Sequence, residues 1–99
     1  MEAETDLRSI IDFILVRESV SRAVLVEERI LDLLGQLETM PESGRIVPEL
    51  QRQGVLTYRD LLAKPWRVLY RLAGREVRVV AILDGRRDVY ELLHERLRR

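Results

Sequence analysis

With 99 residues and 46% hydrophobic content, the chain holds enough apolar material for one small core, and it is read as one domain spanning residues 1–99. It has no cysteine, which excludes a disulfide framework and a thiolate zinc site and fits a cytoplasmic setting; no metal and no other cofactor is implied. No apolar run reaches the ~18 residues of a membrane span and no secretory leader is recognisable, so a soluble protein is expected, and a formal charge of zero argues against tight non-specific binding to nucleic acid.

The first half reads as two helices. Leu7, Ile10, Ile11, Ile14 and Leu15 recur at helical spacing, with Thr5 or Asp6 as the cap and Arg17-Glu18-Ser19 as the break. Ser19 suits an N-cap, and Ala23, Val24, Ile30, Leu31, Leu34 and Leu37 carry a second apolar stripe to Met40-Pro41. So short a link implies an antiparallel hairpin. Residues 41–54, punctuated by Pro41, Gly44, Pro48 and Gly54, read as an irregular crossing. The period then changes to two. Strands are expected over 58–62, 66–72 and 76–83, the last two joined by the turn Ala73-Gly74-Arg75. Leu69, Val80 and Ile82 break the alternation, so both sheet faces are expected to be covered. Residues 89–97 close the chain as a short amphipathic helix carrying Leu92, Leu93 and Leu97. The expected class is α+β: an N-terminal helical hairpin packed on a small antiparallel β-sheet, with a short C-terminal helix.

The neutral total is polarised. Residues 1–50 carry 5 Arg against 11 Asp and Glu, whereas residues 51–99 carry 12 basic against 6 acidic residues. Sixteen of the 17 cations are Arg, a bias that suits planar contacts to carboxylate or phosphate and that a GC-rich genome also produces. Arg59, Arg67, Arg71, Arg78, Arg86 and Arg87 are expected to form a basic sheet face. Two adjacent guanidiniums, Arg86 and Arg87, follow the Asp84-Gly85 turn at a strand end, where an acidic partner or a polyanion reaches them. A bland assignment stands beside this one: Arg59 next to Asp60 and Arg87 next to Asp88 are ordinary ion pairs, and Trp66 and Tyr70 belong to the core. His94, one turn past Tyr90, reads as a surface or packing residue.

Five segments occur in an order that resembles the RelE/ParE superfamily of toxins from bacterial type II toxin-antitoxin modules. They are Ala3-Glu4-Thr5-Asp6-Leu7-Arg8-Ser9-Ile10-Ile11-Asp12-Phe13-Ile14, Met40-Pro41-Glu42-Ser43-Gly44-Arg45-Ile46-Val47-Pro48-Glu49-Leu50, Tyr58-Arg59-Asp60-Leu61, Trp66-Arg67-Val68-Leu69-Tyr70-Arg71 and Gly85-Arg86-Arg87-Asp88. The family usually begins with a β-strand ahead of the hairpin, and here that first strand is apparently missing. One sheet edge then lacks its usual neighbour and becomes a site for pairing, so some self-association, as a homodimer or within a toxin-antitoxin hetero-oligomer, is expected.

The resemblance implies two mechanisms. In a RelE-like toxin the chain cleaves messenger RNA on the ribosome, with Arg59, Arg67, Arg87 and Tyr90 as the catalytic set. In a ParE-like toxin it inhibits DNA gyrase by protein contact, with Arg67, Arg71, Arg78, Arg86 and Arg87 on the target-binding face. The single Lys and zero net charge favour the ParE-like branch. The partner implied by either is a cognate antitoxin, whose helix is expected in the apolar groove between hairpin and sheet. A third reading is a non-toxic module that only binds antitoxin.

Overall fold

Glu2 and Glu4 in the first turn and Arg17 in the last complement the dipole of helix α1, Glu2–Arg17, which buries Ala3, Ile10 and Ile14 along one stripe. The structure, a computed structural model, describes residues 2–97. The Leu97 side chain, expected on the apolar face of the last helix, lies outside the described residues. Because α1 begins at Glu2, Thr5 and Asp6 lie within it and neither is its cap. Ser19 does cap helix α2, Val20–Thr39: its side chain accepts a hydrogen bond from the Arg22 amide at 3.1 Å. The buried stripe of α2 is Ala23, Val26, Ile30 and Leu37, while Val24 and Leu31, expected in it, are each half exposed.

Residues 41–54 are more ordered than expected. They contain a two-residue strand β1, Arg45–Ile46, and a single helical turn α3, Pro48–Gln51, begun by Pro48, whose missing N–H costs nothing at a helix start. Elements this short have no periodicity to read. Strands β2, Tyr58–Ala63, β3, Trp66–Ala73, and β4, Glu76–Asp84, follow as a meander, with Gly74 at φ 63° in the second turn. The sheet is antiparallel throughout in the order β1-β2-β3-β4. Helix α4, Val89–Leu97, ends the described chain, and the Asp88 carboxylate accepts the Tyr90 amide at 2.8 Å and the Glu91 amide at 3.3 Å at its start.

Both faces of the sheet are covered, as the broken alternation implies. Leu61, Ala63, Val68, Tyr70 and Ile82 meet the α1–α2 hairpin in one core cluster. Leu69, Ala81 and Leu83 meet Val47 and Leu50 around α3 and Val89, Leu92 and Leu93 of α4 in the other. Here α1 lies over β4 and α2 over β2. A bulge between Leu69 and Tyr70 sets Leu69 opposite Ala81 but Tyr70 opposite Val79, leaving Val80 without a partner in β3.

Tyr70 is fully buried and ties the crossing segment to the sheet. Its hydroxyl donates to the Pro41 carbonyl at 2.7 Å and accepts the Gly44 amide at 3.0 Å. No side chain fits at Gly44, where a Cβ would stand 2.7 Å from that hydroxyl and from the Asp60 carbonyl oxygen. Removing the hydroxyl in Tyr70→Phe leaves two main-chain groups unpaired and is expected to lower stability by about 1–3 kcal/mol, read as a lower denaturant midpoint with an unchanged slope.

Candidate functional site

Lys64-Pro65 links β2 to β3 so that Ala63 pairs with Trp66, which fixes the register and sets Asp60 opposite Leu69. Arg67, two residues before Leu69, is then the diagonal neighbour of Asp60 on the same face. Arg67 donates from Nε to Asp60 Oδ2 at 2.8 Å and from its other end to Glu49 of α3 at 2.7 and 3.1 Å. Arg45 of β1, directly across from Asp60, donates to Oδ1 at 2.7 Å. The Asp60 side chain has no exposed surface and that of Arg67 only 6%. Four charges from β1, α3, β2 and β3 thus form one closed network, and no buried side-chain polar atom lacks a partner among the described residues.

Burial opposes the charge on Arg67, but Glu49 and Asp60 outweigh it and its proton is held more tightly than usual. The hydrogen bonds from Arg67 outweigh desolvation at Glu49 and hold that carboxyl below its ordinary range.

The expected continuous basic face is not formed. Arg67 is interior. Arg59 belongs to the opposite face, beside Tyr70, where it donates to the carbonyls of Gly44 at 2.8 Å and Glu42 at 3.2 Å rather than pairing with Asp60. Arg87 lies 3.6 Å from Glu95 rather than pairing with Asp88, which caps α4. The remaining arginines stand at two ends of β4. Arg71 and Arg78 are cross-strand partners near the β3–β4 turn, on the face that α4 covers farther along, where Arg71 makes no ion pair among the described residues. They line a groove of about 540 Å³ with Tyr58, Val80, Leu93 and Arg96. At the other end the Arg86 side chain is 92% exposed, steadied by Asp84 at 3.2 Å on a turn closed by the Arg87 amide donating to the Asp84 carbonyl. The Arg86 side chain, then its amide, depresses the Asp84 carboxyl. Tyr90 is half exposed and stacks in parallel on His94 at 6.5 Å.

Two residues that matter to this arrangement, Glu49 and Arg45, were not singled out from sequence, and Asp60 was expected only as an ion-pair partner of Arg59. Their signal was present in the two-residue β2–β3 link, which sets the register, but only the paired strands reveal which carboxylate meets which guanidinium. Among the described residues no group of three or more His, Cys, Asp or Glu is placed to hold a metal ion, and no helix is long and apolar enough to cross a membrane.

Two helices on a four-stranded antiparallel sheet with a closing helix form the α+β architecture expected from the sequence. The sequence model described as "ParE toxin of type II toxin-antitoxin system, parDE" matches residues 1–89, and the chain belongs to that family. Toxin ParE3 of Caulobacter vibrioides (strain ATCC 19089 / CIP 103742 / CB 15) is 41% identical over 61 residues, which is 62% of this chain and 57% of that relative's length. The chain therefore spans little more than half of that curated relative. A solved structure, "Chromosomal ParDE TA system from P. aeruginosa", shares the fold with a TM-score of 0.57 at 22% identity, covering 84% of this chain and 87% of that one.

Substituting Arg67→Ala leaves a buried carboxylate with half its partners and is expected to destabilise by roughly 3–5 kcal/mol, measured by denaturant unfolding. Glu49 has a folded-state pKa below its ordinary value, so its contribution is present above about pH 4.5 and is lost as pH falls through the lower folded value. Glu49→Gln is expected to be less stable at neutral pH and to show a shallower loss of thermal midpoint on acidification.

Proposed function

We propose that this chain is a cytoplasmic toxin that inhibits DNA gyrase by direct protein contact and is neutralised by a cognate antitoxin. The observation that carries this reading is the separation of the arginines a nuclease mechanism needs. Arg59 and Arg67 point to opposite sides of the sheet, and Arg67 is enclosed by Glu49 and Asp60. Phosphoryl-transfer catalysis requires several donors converging on one phosphate in a single cleft, and an enclosed guanidinium does not reach it. A protein contact has no such requirement.

Arg86 and Arg87, presented on a hydrogen-bonded turn, and Arg71 with Arg78 at the groove are the candidate contacts for an acidic surface of the target. Arg67 acts in this reading as a positioning residue that holds α3 and β1 in place. The antitoxin has a second surface. The groove between hairpin and sheet, expected to receive it, is filled by the hairpin-side core. The hairpin instead exposes Phe13, Val16, Val20, Val24 and Leu31, of which Val16 is 82% exposed. An antitoxin helix laid on these residues meets Arg17, whose guanidinium lies 5.5 Å over the Phe13 ring, and leaves the arginines at the ends of β4 to the target.

Purified protein incubated with gyrase and supercoiled plasmid is expected to accumulate cleaved DNA after detergent treatment. The paired variants Arg71→Ala/Arg78→Ala and Arg86→Ala/Arg87→Ala separate the two contacts, at least one losing activity with an unchanged melting temperature. Cleavage of messages only in the presence of ribosomes, without effect on gyrase, overturns the reading.

A further inference from the structure

Tyr58, Arg71 and Arg78 stand in one row across β2, β3 and β4, each directly opposite the next, and all three line the 540 Å³ groove beside α4. Like charges placed opposite each other on a sheet repel. Arg71 makes no ion pair among the described residues, and Arg78 has only Glu76 at 4.0 Å, where both side chains are about three-quarters exposed. The third cation of the groove, Arg96, is already engaged by Glu2 and Asp6 at 2.7 Å each. The fold thus leaves two guanidiniums side by side, and an anion set between them removes their repulsion. A second hollow, of about 220 Å³, continues the groove. It is lined by Leu50, Val55, Tyr58, Tyr90, Leu93 and His94, so Tyr58 and Leu93 belong to both. Tyr90 and His94, with rings parallel to within 4°, make one wall of it. Helix α4 runs beside both hollows, Arg96 lining the first and Tyr90 the second, and the helical rise between these two residues is about 9 Å. An extended chain covers that distance in about three residues.

We propose that this continuous groove docks an extended peptide segment of the toxin's target protein, with an acidic side chain between Arg71 and Arg78 and, about three residues away, an aromatic side chain in the hollow beside Tyr90. The inference rests on the reading of the chain as a toxin that acts by protein contact, and it gives that contact its residues. One carboxylate satisfies both guanidiniums, which fits the charge of the row. The aliphatic walls Leu50, Val55 and Leu93 bury an aromatic ring without presenting side-chain donors or acceptors to the edge of a nucleobase. A nucleic acid strand gains its affinity from many phosphate contacts, whereas this groove offers Arg71 and Arg78, with Arg96 engaged elsewhere. The chemistry of the groove therefore selects an acidic and aromatic peptide.

The test is an NMR titration of the full chain, observed at backbone amides and arginine Nε groups, with the end-capped tetrapeptide Asp-Ala-Ala-Phe and with the same peptide in reverse order. For at least one order, shifts are expected at Tyr58, Arg71, Arg78, Tyr90 and Leu93. Arg71→Ala/Arg78→Ala and Tyr90→Ala/His94→Ala are each expected to weaken binding at least about tenfold, as are Asn for Asp and Ala for Phe in the peptide. All four protein side chains are exposed, so both variants are expected to keep the melting temperature. No shift at the groove with either peptide, or binding indifferent to Arg71→Ala/Arg78→Ala, overturns the proposal; so does a uridine tetranucleotide that occupies the same residues more tightly. In gyrase inhibition, Tyr90→Ala/His94→Ala is expected to lose at least about tenfold in potency, and undiminished inhibition refutes the assignment of the groove to the target. The titration needs no gyrase. Peptide bound at the groove of a protein that leaves gyrase unaffected therefore counts against gyrase as the target and for the docking of such a segment.

Discussion

Asp60 is the point on which the rest of the structure hangs. A carboxylate without exposed surface is tolerable only with cationic partners at hydrogen-bond distance, and Arg45 and Arg67 supply them from the two neighbouring strands. That requirement holds β1 against β2 although β1 is only two residues long and has almost no ladder of its own. Glu49 answers the far side of the Arg67 guanidinium and so sets where α3 sits. The same segment is anchored besides by the buried Val47 and Leu50, by the Tyr70 hydroxyl and by the Arg59 contacts to Glu42 and Gly44.

The chain's charge therefore has to be read in two parts. Several of the basic residues that crowd the second half are structural: Arg67 inside, Arg59 on loop carbonyls, Arg96 across the β4 edge. Of the arginines expected to form a basic face, what is left over for a partner is Arg71 with Arg78 and Arg86 with Arg87, at the two ends of β4. A protein of zero formal charge thereby presents local cationic points without a broad positive field, which suits recognition of an acidic protein surface more than capture of a nucleic acid backbone. The most exposed apolar residues, Val16 and Val20, lie on the hairpin, so in the proposed reading the antitoxin is given a surface there and the target the two ends of β4.

The sheet also makes the chain ends interdependent. Asp6 near one end and Arg96 near the other satisfy the same strand edge, so α1 and α4 are held by a bond rather than by apolar packing alone. Edge strands are commonly blunted by charge. Here the charged groups sit directly on one backbone donor and one acceptor, the Ile82 amide and the Val80 carbonyl.

Much of this was written in the sequence. Apolar residues at helical spacing announced both long helices, Ser19 marked where the second begins, the switch to period two announced the sheet, and the failure of clean alternation at Leu69, Val80 and Ile82 announced that both faces are covered. The five ordered segments were enough to indicate the family. These features were legible because each is local or periodic, decided by neighbours a few residues away. The short β1 and α3 were not, since two or four residues carry no period. Nor was the fate of the arginines: whether a guanidinium faces water, a carboxylate or a carbonyl depends on strand register and on which residue lies across a turn. Arg67 and Arg86 look equally available as letters, and only the tertiary structure, in which β2–β3 pairing brings Asp60 and α3 brings Glu49 to the first while the second stays in solvent, tells them apart.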